Sequence, residues 1–142
     1  MSAHSRIVAV DYGTKRVGLA VADPMRIFAQ PFAVSSQDEA VARLRQLHIE
    51  DGIDVIVVGW PLTESGEEGP ATQRVQEFIN RLRNVLPTVE YVRWDERYTS
   101  EEAKDRLLPL GKRRKRLPVD DVAAGIILQE YLDDIRSNQN TG

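Results

Sequence analysis

Ile7-Val8-Ala9-Val10-Asp11-Tyr12-Gly13-Thr14-Lys15-Arg16-Val17-Gly18-Leu19-Ala20-Val21-Ala22 is the stretch that decides the fold. Its first four residues are apolar throughout, as in a short buried strand, and the run ends on a carboxylate, Asp11. Tyr12-Gly13-Thr14-Lys15 is a short turn. Val17, Leu19 and Val21 then alternate with Gly18, Ala20 and Ala22, so a second strand follows with one face made only of small residues. The short turn makes the pair a hairpin.

Working outward, a third strand is expected near Ala29–Val34, with Pro31 marking an edge or a bulge. Ser36-Gln37-Asp38-Glu39 reads as a capping box that opens a helix along Ala40, Leu44 and Leu47, and Gly52 stops it. Val55-Ile56-Val57-Val58 is apolar on both faces, as a central parallel strand is, and runs into Gly59-Trp60-Pro61-Leu62 and a polar, acidic loop from Thr63 to Gly69. Pro70 suits the first turn of the next helix, whose buried stripe is Ala71, Val75, Phe78, Ile79, Leu82 and Leu86. Val89–Trp94 is the last strand and leads into Asp95-Glu96-Arg97. Thr99-Ser100-Glu101-Glu102 is a second capping box, for a helix ended by Pro109 and Gly111. Asp120 and Asp121 lead a final helix through Ala123, Ile126, Ile127 and Tyr131, and residues 137–142 are expected to be a disordered tail. Three leading strands followed by helix–strand units imply an α/β domain spanning residues 1–142, with a mixed five-stranded sheet flanked by helices.

Composition narrows the function classes. The chain has 142 residues, 42% hydrophobic and 29% charged, as expected of a globular domain with a real core. No apolar run approaches the ~20 residues of a membrane span, and Met1–Arg6 does not read as a signal peptide. The absence of cysteine excludes disulfides and thiolate metal sites and fits a cytoplasmic location. The net charge is only -3, yet Lys112-Arg113-Arg114-Lys115-Arg116 is a run of five cations. Such a run is either a phosphate-binding device or a solvated loop.

In an open α/β sheet, functional residues gather beyond the carboxyl ends of the parallel strands. Asp11, Gly59 and the Asp95–Glu96 pair stand at such ends, and Asp120 and Asp121 open a helix able to pack against them. Gathered carboxylates repel one another in a low dielectric, so they bind protons or cations. Oxygen ligands without nearby His or Cys favour Mg²⁺ or Mn²⁺, and two such ions clamp a phosphodiester for hydrolysis. Each acid also has a structural reading. Asp11 can cap the Gly13 turn, Asp95 and Glu96 can pair with Arg97, and Asp120 or Asp121 can be an N-cap. Lys15, Arg16 and Arg97 are candidate phosphate contacts, as is the run from Lys112 to Arg116. Trp60 either stacks on a base or covers the sheet edge.

The motifs resemble those of the YqgF, or RuvX-like, family. Asp11-Tyr-Gly-Thr-Lys-Arg-Val-Gly18-Leu-Ala20-Val-Ala-Asp23 is similar to its opening motif. Gly59-Trp-Pro61-Leu62 with Gly66, Asp95-Glu96-Arg97-Tyr98-Thr99-Ser100, and Val119-Asp120-Asp121-Val122-Ala123-Ala124 with Ile127-Leu128-Gln129 resemble the others, in order along nearly the whole chain. The resemblance implies an RNase H-like fold and a nuclease. The family is described both as a Holliday junction resolvase and as an enzyme maturing the end of the small-subunit ribosomal RNA precursor. It also implies that Asp11, the Asp95–Glu96 pair and Asp120 hold the metal. Neighbours on a strand face opposite ways, so one of Asp95 and Glu96 points in, with Asp95 preferred here. The central strand ends in Gly59, where more distant RNase H-like resolvases carry an acid, which predicts fewer protein ligands.

Three readings compete. An endonuclease of the pre-16S rRNA end comes first, acting as a monomer or weak homodimer, because no apolar stripe is left over for a dimer face. A resolvase acting on branched DNA is the second. The third is a non-catalytic RNA-binding factor in transcription or ribosome assembly. Asp-Tyr-Gly-Thr before a second strand also resembles the phosphate-binding hairpin of the actin, Hsp70 and sugar-kinase group, but one domain of this length cannot form a two-lobed nucleotide cleft.

Overall fold

The computed structural model describes residues 5–96 and 119–141, with the side chains of 122–138 in the second segment. Arg97, the helix expected between Thr99 and Pro109, and the basic run from Lys112 to Arg116 lie outside them. The hairpin forms as read. β1 (Arg6–Tyr12) pairs antiparallel with β2 (Val17–Ala22), Asp11 opposite Gly18. Its turn is tight at Gly13, where a Cβ would meet the Arg16 carbonyl oxygen at 2.6 Å. β3 (Ala29–Ser35) pairs antiparallel with β2 as the edge strand, and the register shifts between Leu19 and Ala20, next to the Ala20–Pro31 pair. A proline has no N–H for the ladder, so the irregularity falls where it is expected.

Two helix–strand steps and a closing helix complete the order among the described residues. α1 (Gln37–Glu50) starts at Ser36, whose side chain accepts from the Glu39 N–H at 3.2 Å. It stops before Gly52, whose φ of +82° suits glycine. β4 (Ile53–Trp60), α2 (Pro70–Val85) and β5 (Glu90–Asp95) follow, and α3 (Val119–Thr141) closes the chain. The sheet order is β3-β2-β1-β4-β5, with β1, β4 and β5 mutually parallel. Their carboxyl ends therefore share one edge. α3 runs through the segment from Ser137 that the sequence suggests is a disordered tail, reaching Thr141. No proline or glycine interrupts the segment before Gly142, so nothing local stops the helix.

Alternation sorts the side chains into two layers. Val8, Val10, Ile56 and Val58 pack with Leu44, Phe78 and Leu82 under α1 and α2. Ile7, Ala9, Ala20, Ala22 and Val57 pack with Ala124, Leu128 and Leu132 under α3. The small-residue face of β2 is thus the bed of α3, and burying each leucine there contributes about 1.5–3 kcal/mol.

One polar residue fixes how α3 sits. Gln129 is fully buried. Its Oε1 accepts from the Ala29 N–H at 2.9 Å, and its Nε2 donates to the Ile27 carbonyl at 2.8 Å and to Asp133 at 3.2 Å. The amide completes the backbone bonding at the start of β3 and pins the axial register of α3. We expect Gln129→Ala to lose about 2–4 kcal/mol of stability, because two buried backbone groups lose their partner and a cavity opens. Denaturant unfolding measures it.

Candidate active site

Asp11, on β1, faces the α3 side of the sheet, two residues beyond Ala9 in that layer. Gly59 is the matching position on β4, one past the Val10–Val58 pair, and it pairs with Trp94 of β5. Trp94 also packs in the α3 layer, edge-on to Tyr131 with ring centroids 5.8 Å apart. Two residues beyond Trp94 comes Glu96, whose N–H bonds to the Trp60 carbonyl at 3.3 Å. Its carboxyl turns back over Gly59 and hydrogen-bonds to Asp11.

Asp95 lies on the other side of β5, paired with Trp60, whose side chain belongs to the α1–α2 layer. The preference for Asp95 as the inward member is therefore corrected. Trp94 is held on the α3 face, so alternation gives that face to Glu96 and leaves Asp95 a charge acting from the opposite side.

Asp11, Glu96, Ala123, Ile126, Ile127 and Glu130 line a cavity of about 310 Å³. Glu130 was not foreseen from the sequence. Its carboxylate accepts from the Trp94 indole N–H at 3.3 Å. A signal for it was present, since Asp120, Ala123, Ile127 and Glu130 are spaced three, four and three apart, one face of a helix. Asp120 and Asp121 lie in the first turn of α3, and their side chains are outside the described residues. On the other side of Asp11, a second cavity of about 390 Å³ is lined by Asp11, Gly13, Thr14, Lys15 and Arg16. One carboxylate therefore stands between an acidic hollow and a basic turn.

The acidic pair is electrostatically strained. Burial pushes the Glu96 carboxyl up to about 8, and the hydrogen bond to Asp11 and the charges of Asp11 and Asp95 push the same way. The shift favours a proton held by the Asp11–Glu96 pair near neutral pH. A hard divalent cation between them would relieve the same repulsion, so the donor set fits Mg²⁺ or Mn²⁺. Among the described residues no three metal-type side chains gather into an ion site. Asp11 and Glu96 supply two acids, and the Asp120 side chain lies outside that set.

Other candidates are structural. Trp60 is buried beneath the Arg93 guanidinium, 4.4 Å from the ring centroid, and donates to Glu68 at 3.3 Å, so it covers the sheet edge and has no free face for a base. Asp23, from the opening motif, caps the β2–β3 turn by accepting from the N–H groups of Met25, Ile27 and Phe28. A cavity of about 460 Å³ at the opposite sheet edge includes Asp51 and Asp54, which are paired with Arg6 at 3.0 Å and Arg26 at 2.6 Å. No helix among the described residues is long and apolar enough to cross a membrane.

Comparison with known proteins matches residues 5–134 to RuvX, described as a Holliday junction resolvase. The chain belongs to the RuvX family. A Salinibacter ruber relative named "Putative pre-16S rRNA nuclease" is 50% identical over 137 residues, covering 94% of this chain and 96% of its own. A Chlorobaculum tepidum protein of the same name is 38% identical, covering 93% and 96%. Among solved structures, Thermus thermophilus RuvC superposes with a TM-score of 0.60 at 11% identity, covering 93% of this chain and 96% of that one. A T. thermophilus RuvC in complex with a Holliday junction substrate superposes at 0.56 and 13% identity, covering 91% and 94%. The RuvX chain thus has the RNase H-like fold, the five-stranded sheet expected from its leading hairpin.

Proposed function

We propose that this RuvX chain is a divalent-metal-dependent endonuclease that hydrolyses phosphodiester bonds in the precursor of 16S ribosomal RNA. The observation that carries the reading is the contact of Asp11 with Glu96 at the carboxyl edge of the sheet, with Lys15 and Arg16 on the adjoining turn. The names carried by full-length relatives favour ribosomal RNA over branched DNA.

Asp11 and Glu96 hold the cation, with Asp120 as the third acid from the first turn of α3. Asp95, on the far face, adds negative charge without binding. When bound, Mg²⁺ or Mn²⁺ polarises the phosphodiester and lowers the pKa of attacking water. Lys15 and Arg16 hold the scissile phosphate against Asp11, where charge-assisted bonds position it without reading sequence. Ala123, Ile126 and Ile127 wall the acidic cavity with apolar groups, which keeps the local dielectric low and strengthens each charge interaction. Glu130, held by Trp94, closes the far end. The chain works in the cytoplasm, where its RNA is.

Arg97 joins Lys15 and Arg16 in holding phosphate near the cation, and the run Lys112 to Arg116 tracks the substrate backbone. Each phosphate contact on a single strand contributes about 0.7 to the salt dependence of log K. Neutralising the five residues of the run should flatten the slope of log K against log salt by up to about 3.5. Filter binding from 50 to 200 mM salt reads the slope, and an unchanged slope removes the run from the interface.

The functional test sets the protein against a 16S precursor and a four-way DNA junction, side by side, in Mg²⁺ and in EDTA. The proposal predicts metal-dependent cleavage at the precursor end and an intact junction. Symmetric cutting of the junction with an intact precursor would make the chain a resolvase. Binding of the precursor with neither cut would make it a non-catalytic RNA-binding factor.

A further inference from the structure

We infer that Gly59 is a positioning residue: the missing side chain on β4 is the socket that seats the Glu96 carboxyl beside Asp11. The inference rests on the proposed reading of Asp11 and Glu96 as the metal-holding pair. A Cβ added at Gly59 would overlap Oε1 of Glu96 and lie 2.7 Å from its Cδ and 2.8 Å from Cδ1 of Ile127. The Ile127 methyl is the end of a flexible chain and can move. The Glu96 backbone stays where it is, because its N–H is tied to the Trp60 carbonyl at 3.3 Å, so the carboxyl can yield only by turning about its own side-chain bonds. Its side chain must therefore rotate away from Asp11 if the socket is filled.

Backbone conformation does not explain the glycine. Gly52 and Gly66 have positive φ, whereas Gly59 does not and lies inside β4. Glycine weakens a strand interior unless something approaches it closely. Here the close approach is made by the acid itself. At its carboxyl end β4 brings no carboxylate, and the bare position at Gly59 admits the one that follows β5. What reads from the sequence as a missing ligand is the space for another strand's ligand.

The test is a double-mutant cycle on the full chain with wild type, Gly59→Ala, Glu96→Ala and the double variant. Thermal unfolding in EDTA reads the contact, and Mn²⁺ titration reads the ligand. Gly59→Ala should weaken Mn²⁺ binding about 10- to 100-fold, the usual range for residues that orient a metal ligand. It should also lower Tm in EDTA. In the Glu96→Ala background, where the socket is vacant, the same substitution should cost little further in either readout. If Gly59→Ala alone does not fold while the double variant does, the suppression supports the inference equally. Full additivity of the Tm losses, or wild-type Mn²⁺ affinity in Gly59→Ala, overturns it. If wild type binds no Mn²⁺, the metal reading fails and the EDTA cycle still decides whether Gly59 seats Glu96.

Discussion

Asp11→Asn should lower cleavage of the ribosomal precursor by at least about 10³-fold while leaving the fold and the affinity for RNA unchanged. The asparagine keeps the shape of the side chain and loses the charge. A metal supplies several kcal/mol of transition-state stabilisation, and each 1.36 kcal/mol is tenfold in rate. Losing the ligand that stands between the acidic cavity and the Lys15–Arg16 turn removes most of that. On the proposed reading RNA affinity rests on cations and not on Asp11, so it should hold. Single-turnover cleavage with saturating enzyme, alongside binding in EDTA, separates the two. A variant that cuts at the wild-type rate would refute the site.

Glu96→Gln should have opposite effects on stability and function. Glu96 is raised from 4.5 to about 8, chiefly by burial and then by its bond to Asp11 and the charges of Asp11 and Asp95. Between those values the native state holds a proton that the unfolded state has released. Stability of the metal-free protein therefore falls as pH rises through this window, by at most about 1.4 kcal/mol per pH unit. Solvent reaching the carboxyl makes the real slope shallower. Below pH 4.5 both states are protonated and the effect is absent; above about 8 the penalty is complete. Glutamine carries no titrating proton. Glu96→Gln should remove this fall and be the more stable protein at pH 8 in EDTA, while binding Mn²⁺ far more weakly and losing cleavage. Denaturant melts at pH 5, 6.5 and 8 measure the slope. A wild-type slope retained in the variant would place the titration elsewhere.

Part of this site is legible in the sequence itself. The hairpin around Gly13 is local, and its turn length and alternation specify both strands. The β4 and β5 strands follow from apolar runs set between helices. Asp11 is legible because it directly follows a buried run.

The choice between Asp95 and Glu96 is not local. Alternation says that they face opposite ways, but the phase is set by Trp94, and Trp94 is held on the α3 face by Tyr131 and Glu130. That contact joins segments more than thirty residues apart. Gly59 is harder still, since a residue with no side chain reveals nothing about what occupies its space. Gln129 looks like a polar break in an apolar helix until its backbone partners at Ile27 and Ala29 are seen. Each of these residues has a role defined by a distant partner, which is where local patterns lose their force.

On the proposed reading, Asp11 and Glu96 share a divalent cation at the carboxyl edge of the sheet. Anomalous scattering from crystals grown with Mn²⁺ tests it most directly. A Mn²⁺ peak beside Asp11 and Glu96 is expected, with Asp120 as the third acid and Asp95 not among the ligands. A well-ordered Asp11–Glu96 pair that keeps its proton and binds no Mn²⁺, in a protein that still cuts RNA, would contradict it.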